Sequence, residues 1–221
     1  MIFRDRFDAG RRLAERLQPW RGRDVLVLGL PRGGVPVAYE VARALDAPLD
    51  VAVARKLGAP GQPELGIGAI APGVTVLDEA ALGWLGLHDV DLQPLVEDET
   101  RELHRRLLAY RGVDRLPEVA GREVLLVDDG LATGVTTRAA SRSLRRLGPA
   151  RLVLAVPVGA PDSVRSLRSE VDELVCLEQP EPFRAVGLWF DDFSQTTDGE
   201  VLELLERRRI ERGEGSPAAA P

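Results

Sequence analysis

Short apolar runs alternate with helix-period stretches along most of the 221-residue chain. In residues 8–17, Ala9, Leu13, Ala14 and Leu17 recur at the spacing of one helix face. Residues 24–30, DVLVLGL, read as a buried strand rich in Val and Leu. Pro31, Arg32, Gly33 and Gly34 break it. The pattern then predicts a helix over 35–45 and a second strand over 49–54. Strand, helix and strand in about 30 residues make a βαβ unit, which implies a parallel sheet.

The middle of the chain departs from this alternation. Residues 55–73 are dense in Gly and Pro, and 56–63 predicts a mobile loop. The second half of that stretch pairs as a short strand with 74–77. Residues 79–111 read as helical, with Asp91 as an N-cap and Leu92, Leu95, Val96, Leu103 and Leu107 on one apolar face. Alternation resumes with strands over 123–128, 151–156 and 173–177 and helices over 136–147 and 162–169. Residues 183–193 are aromatic and extended, 200–212 helical, and 213–221 a disordered tail. The expected fold is α/β, an open parallel sheet with helices on both faces plus an inserted, mainly helical subdomain. The core is 1–73 with 117–212, and the insert is 74–116.

Composition narrows the partners. The net charge is -6, and non-specific nucleic-acid binding needs a cationic surface, so no nucleic-acid partner is expected. The start, MIFRDRFDAGRR, has no apolar core, and no run reaches the roughly 18 apolar residues of a membrane span. The expectation is a cytoplasmic protein with no membrane partner. Cys176 is the only cysteine, which excludes an intramolecular disulfide and a cysteine zinc site, and its apolar run reads as a small buried position. Arginine supplies every cation but one, Lys56, which raises the question of why a compact ammonium stands there.

The strongest chemical signal is VLLVDDGLATGVT, residues 124–136. Four apolar residues make a strand, and Asp128 and Asp129 stand where it ends, at the edge where open α/β sheets bind ligands. Gly130, Thr133, Gly134, Thr136 and Thr137 form a small-residue turn into a helix. Backbone amides there can surround a phosphate, with the three threonine hydroxyls as further donors. Two carboxylates repel a phosphate and suit vicinal hydroxyls instead. A phosphate with a diol beside it describes a ribose 5-phosphate.

This segment resembles the signature of type I phosphoribosyltransferases, over its full length. The resemblance implies that Gly130, Leu131, Ala132, Thr133, Gly134, Val135 and Thr136 bind the ribose phosphate of 5-phosphoribosyl-1-pyrophosphate (PRPP), with Asp128 and Asp129 serving the reaction and Mg²⁺. Arg32 and Gly33, in the turn after the first strand, resemble the family's pyrophosphate loop, which often carries a strained peptide bond. Arg55 and Lys56 resemble the pair preceding the catalytic loop of adenine phosphoribosyltransferases; a solvated pair at a loop entrance is the plain alternative. Residues 186–193, VGLWFDDF, resemble the segment that covers the base and offers an acid to magnesium, with Asp191 and Asp192 equally eligible. Phe183, Trp189 and Phe190 either stack on a base or pack inside the protein. Ala132 stands where 6-oxopurine enzymes carry an acid, which disfavours hypoxanthine and guanine. His88, His104 and Glu64 are further acid–base candidates.

The resemblance implies an enzyme that displaces pyrophosphate from PRPP with a nitrogen nucleophile, a nucleobase or a small aromatic amine. It also implies a homodimer. The insert takes the place of the family's acceptor-choosing hood and matches no named base. A non-catalytic PRPP or nucleotide sensor is the other reading, although such a module has no need of a pyrophosphate site.

Overall fold

The structure is a computed structural model and describes residues 2–214. Five parallel strands form the central sheet: β1 (Val25–Gly29), β2 (Leu49–Val51), β6 (Glu123–Val127), β7 (Arg151–Val158) and β8 (Glu173–Glu178), in the order β2-β1-β6-β7-β8. Their side chains alternate between two cores, as the pleat requires. Val25 and Val27 pack with helices α1 (Arg6–Arg16), α2 (Gly34–Leu45) and α7 (Asp198–Glu211). Leu26 and Leu28 pack with α5 (Val135–Arg145) and α6 (Pro161–Leu167) on the other face. Both faces are covered, so the strands read as unbroken apolar runs. β1 lies between β2 and β6, and Gly29 is in register with Val127. The turns that follow β1 and β6 therefore emerge side by side, at the point where strand order reverses.

Between β2 and β6 the chain builds a second, antiparallel sheet of β3 (Arg55–Ala59), β4 (Gln62–Ala71) and β5 (Val74–Leu77), followed by α3 (Glu79–Leu85) and α4 (Asp89–Arg111). One face of this sheet, with Leu57, Ile67 and Ile70, packs on Leu82 of α3 and Leu92, Leu103 and Leu107 of α4. The other, with Ala69, Ala71 and Val76, packs on Ala139, Ala140 and Leu144 of α5.

Here the expectation of a mobile loop over 56–63 is corrected: it is a strand, a turn at Pro60 and Gly61, and the start of another strand. The glycine that suggested flexibility is a close-approach position. A side chain at Gly58 would meet the Pro63 carbonyl oxygen at 2.3 Å, so only glycine lets β4 come this near. Two strands thus precede residue 74, the expected start of the insert. The second strand of the main sheet stops at Val51 instead of residue 54, and α4 begins at Asp89, two residues before the expected cap. The side chains of Asp91 and Glu64, and residues 215–221 of the expected tail, lie outside the described ones.

Residues 183–193 are not uniformly extended. Val186–Trp189 form a 3-10 turn, and Phe190 then pairs in parallel with Phe3. Among the described residues no helix is long and apolar enough to cross a membrane.

Candidate active site

Two turns and a helix start make the centre of the site. After β6, the chain presents Asp128 and Asp129. Oδ1 of Asp128 accepts the Asp129 amide at 2.9 Å, and Oδ2 accepts the Thr137 hydroxyl at 3.3 Å. Thr137 is buried, so its hydroxyl orients an acid and is not a phosphate donor, which corrects the expectation of three threonine donors. Burial, and after it the Asp129 carboxylate, push the Asp128 carboxyl well above its usual range. Burial also raises Asp129, against the pull of the Arg6 guanidinium. Adjacent carboxyls held out of water resist double ionisation.

The turn after β1 fits against these acids. A side chain at Gly33 would fall 2.0 Å from Oδ2 of Asp129, and one at Gly34 would meet the Val127 carbonyl oxygen at 2.8 Å. The Pro31–Arg32 peptide is cis. Arg32 reaches to 3.9 Å from Asp198, whose carboxylate accepts the buried Tyr110 hydroxyl at 2.5 Å. Burial, together with that acceptor, raises the Tyr110 phenol to about 12.

The turn from Gly130 to Thr136 is tied down from beneath. Leu131 donates its amide to Val158 and accepts from Ala160, and Ser163 bonds the Ala132 carbonyl. The Leu131 amide is thereby used, and the amides available to a ligand begin at Ala132. Among the described residues, no backbone bond takes the amides of Ala132 to Thr136. Gly134 stands at the helix N-cap with φ +71, and a side chain there would meet Leu167 at 2.7 Å. These free amides at a helix N-terminus, with exposed Thr133 and half-buried Thr136 beside them, are suited to an anion.

In the Arg55–Lys56 pair the first cation is already engaged. Arg55 is bound to Glu99 of α4, at 2.7 Å through Nε. Adjacent strand residues face opposite sides. Lys56, in register with Ala69, accordingly lies on the sheet face that packs on α5, and its stem runs over Gly66. Arg55, Lys56, Pro60, Leu95 and Glu99 line part of a cleft of about 540 Å³.

Asp191 and Asp192 are exposed, and their amides bond the carbonyls of Phe3 and Arg4. Asp192 also accepts the Ser194 amide, which lowers its carboxyl. Among the described residues no three His, Cys, Asp or Glu side chains gather as a metal site, so the four acids named as candidate ligands do not converge. Phe190 is buried between Phe3 and Phe193 and belongs to the packing, while Phe183 and Trp189 are half-buried. His104 is bound to Asp114 on the exposed side of α4, and His88 is exposed.

Sequence reasoning missed Arg6. Its Nε donates to Oδ2 of Asp129 at 2.8 Å, its Nη1 to the Ser194 carbonyl at 2.6 Å, and its guanidinium lies 3.9 Å from the Phe193 ring centre. Nothing in the charged stretch around Arg6 marks it out from its neighbours.

Residues 3–188 match the phosphoribosyl transferase domain family. Two curated proteins of Mycobacterium tuberculosis, from strains CDC 1551 and H37Rv and named provisionally as phosphoribosyl transferases, are 49% identical over 208 residues, or 93% of this chain. The chain spans about half the length of these relatives, 47%. The crystal structure of TT1426 from Thermus thermophilus is 44% identical with a TM-score of 0.77, over 94% of this chain and 99% of that one. The acids after β6, the glycine turn against them and the amide-lined helix start are thus the centre of a chain that belongs to the phosphoribosyl transferase domain family.

Proposed function

We propose that this protein transfers ribose 5-phosphate from PRPP to a nitrogen nucleophile, a nucleobase or small aromatic amine, with release of pyrophosphate. The observation that carries the reading is the paired acid Asp128–Asp129, set between the glycine turn after β1 and the unpaired amides at the start of α5. In this reading the amides from Ala132 to Thr136, with the hydroxyls of Thr133 and Thr136, hold the 5-phosphate. The acids accept the ribose hydroxyls. Arg32 and the Gly33 turn face the pyrophosphate, where a preorganised cation stabilises charge that grows as the bond to C1 breaks.

The acids fit a magnesium ion. Arg6 engages Oδ2 of Asp129 and leaves Oδ1 for a ligand, and Mg²⁺ commonly takes one or two carboxylates while substrate phosphates and water complete its shell. Such an ion would offset pyrophosphate charge. Asp191 or Asp192 adds an acid only if the 190–194 segment closes inward. Arg55, held by Glu99, steadies β3, and in this reading Lys56 is the cation of that strand left to meet the pyrophosphate. Family membership also favours a homodimer, which light scattering at a dimer mass would bear out and a monomer mass would contradict.

The experiment is a screen for PRPP- and Mg²⁺-dependent pyrophosphate release against nucleobases and aromatic amines. Release with one acceptor class is the expected result. PRPP binding with no release for any acceptor would leave a sensor, and no PRPP binding would end the reading.

A further inference from the structure

We infer that Arg6 is a positioning residue, a clasp that fixes Asp129 between the glycine turn after β1 and the 190–194 segment. The inference extends the PRPP reading and rests on it for one of its two measurements.

The geometry is that of a planar fork used on three sides. Nε of Arg6 holds Asp129 at 2.8 Å, Nη1 holds the Ser194 carbonyl at 2.6 Å, and the guanidinium face covers Phe193. A side chain placed on Gly33 would come within 3.0 Å of Nε, so the same group also abuts the turn after β1. The side chain is 11% exposed, and that of Asp129 16%. A solvated arginine on a helix start has no reason to be held in this way.

The backbone around Arg6 is fixed as well. Asp5 caps α1 by accepting the Asp8 amide at 2.6 Å. Just before it, Phe3 exchanges hydrogen bonds with Trp189 and Asp191, and Arg4 accepts from the Asp192 amide. The segment leading into α1 is therefore zipped to the 190–194 segment, and the Arg6 side chain reaches from beside this zipper to the acids. Its consequence is coupling. Asp129 cannot turn without loosening the bond to Ser194, and the 190–194 segment cannot lift without freeing Asp129. A lysine could keep the charge beside Asp129 but has no fork for the second acceptor and no plane to lie on the ring.

The test compares wild type with Arg6→Lys and Arg6→Ala, each verified as folded by its thermal transition. One measurement is PRPP affinity with Mg²⁺ by calorimetry, and the other is hydrogen exchange of the amides at 190–194, read against β1 amides. Loss of one charge-assisted bond corresponds to about tenfold or more in affinity. We expect such a loss in Arg6→Ala and most of it in Arg6→Lys, with faster exchange at 190–194 in both and none at β1. Arg6→Lys with wild-type affinity and exchange would reduce the role to charge and overturn the clasp. Unchanged exchange in Arg6→Ala would overturn it as well. Should wild type fail to bind PRPP, the functional reading falls, while the exchange measurement still decides the clasp.

Discussion

The turns at the edge of the five-stranded sheet and the antiparallel excursion of residues 55–111 are both rich in glycine, and glycine serves them differently. At Gly33 its lack of a side chain admits the Asp129 carboxylate, and at Gly134 its positive φ turns the chain into α5. At Gly58 it allows two strands to approach, which builds paired sheet where a loop was expected. Gly-rich composition thus marks close approach as readily as mobility. The charged groups differ as well. Asp128 and Asp129 converge on one place, whereas Arg55 and Lys56 diverge to opposite faces of a strand.

The largest effect should come from the converging pair. Replacing Asp128 and Asp129 together by Asn removes two charged acceptors, and at about 1.5–3 kcal/mol each the PRPP affinity should fall by roughly a hundredfold or more. Titration calorimetry checks this, and an unchanged affinity would remove the acids from the ligand.

Gly134→Ala comes next. With φ +71 and Leu167 at 2.7 Å from a new Cβ, strain should lower stability by about 1–3 kcal/mol. A chemical denaturation curve measures it, and affinity for sulfate or phosphate should drop in the same variant. An unaltered midpoint would mean that the helix start adjusts freely.

The diverging pair should separate by readout. Arg55→Ala breaks the bond to Glu99 and should cost about 1 kcal/mol in stability. Lys56→Ala should leave stability within about 0.5 kcal/mol, as expected for an exposed position, and lower turnover more than PRPP affinity. Lys56→Arg sharpens this, since it keeps charge and changes shape. Wild-type turnover in Lys56→Arg would make the single lysine a compositional accident.

The last effect is a pH signature behind Arg32 that appears only in base. The Tyr110 phenol is raised from 10.0 to about 12. A group raised in the folded state contributes stability that is complete below its unfolded value and is lost as pH rises toward the folded one. The wild type should lose roughly 2 kcal/mol between pH 10 and 12 through this group. Tyr110→Phe should be slightly less stable at neutral pH and should lack that loss. Parallel stability curves for the two proteins above pH 10 would contradict the assignment.

The sequence by itself determined the parallel sheet, its helices on both faces and the small-residue turn that leads from the acids into α5. These depend on local periodicity and on residues contiguous along the chain, as in the run from Val124 to Thr136. It also placed Arg32 and Gly33 in the turn that faces the acids. The second sheet escaped because its pairing is between strands: Leu57 and Ile67 show their alternation only once β3, β4 and β5 are aligned. Thr137 looked like its threonine neighbours until burial gave its hydroxyl to Asp128. Arg6 stands 123 positions from Asp129, in a run of similar charges, and no spacing rule spans that distance. Only the packing of α1 and the 190–194 segment against the sheet edge brings the guanidinium to the acid, because a salt bridge is chosen by proximity in space and not by order along the chain.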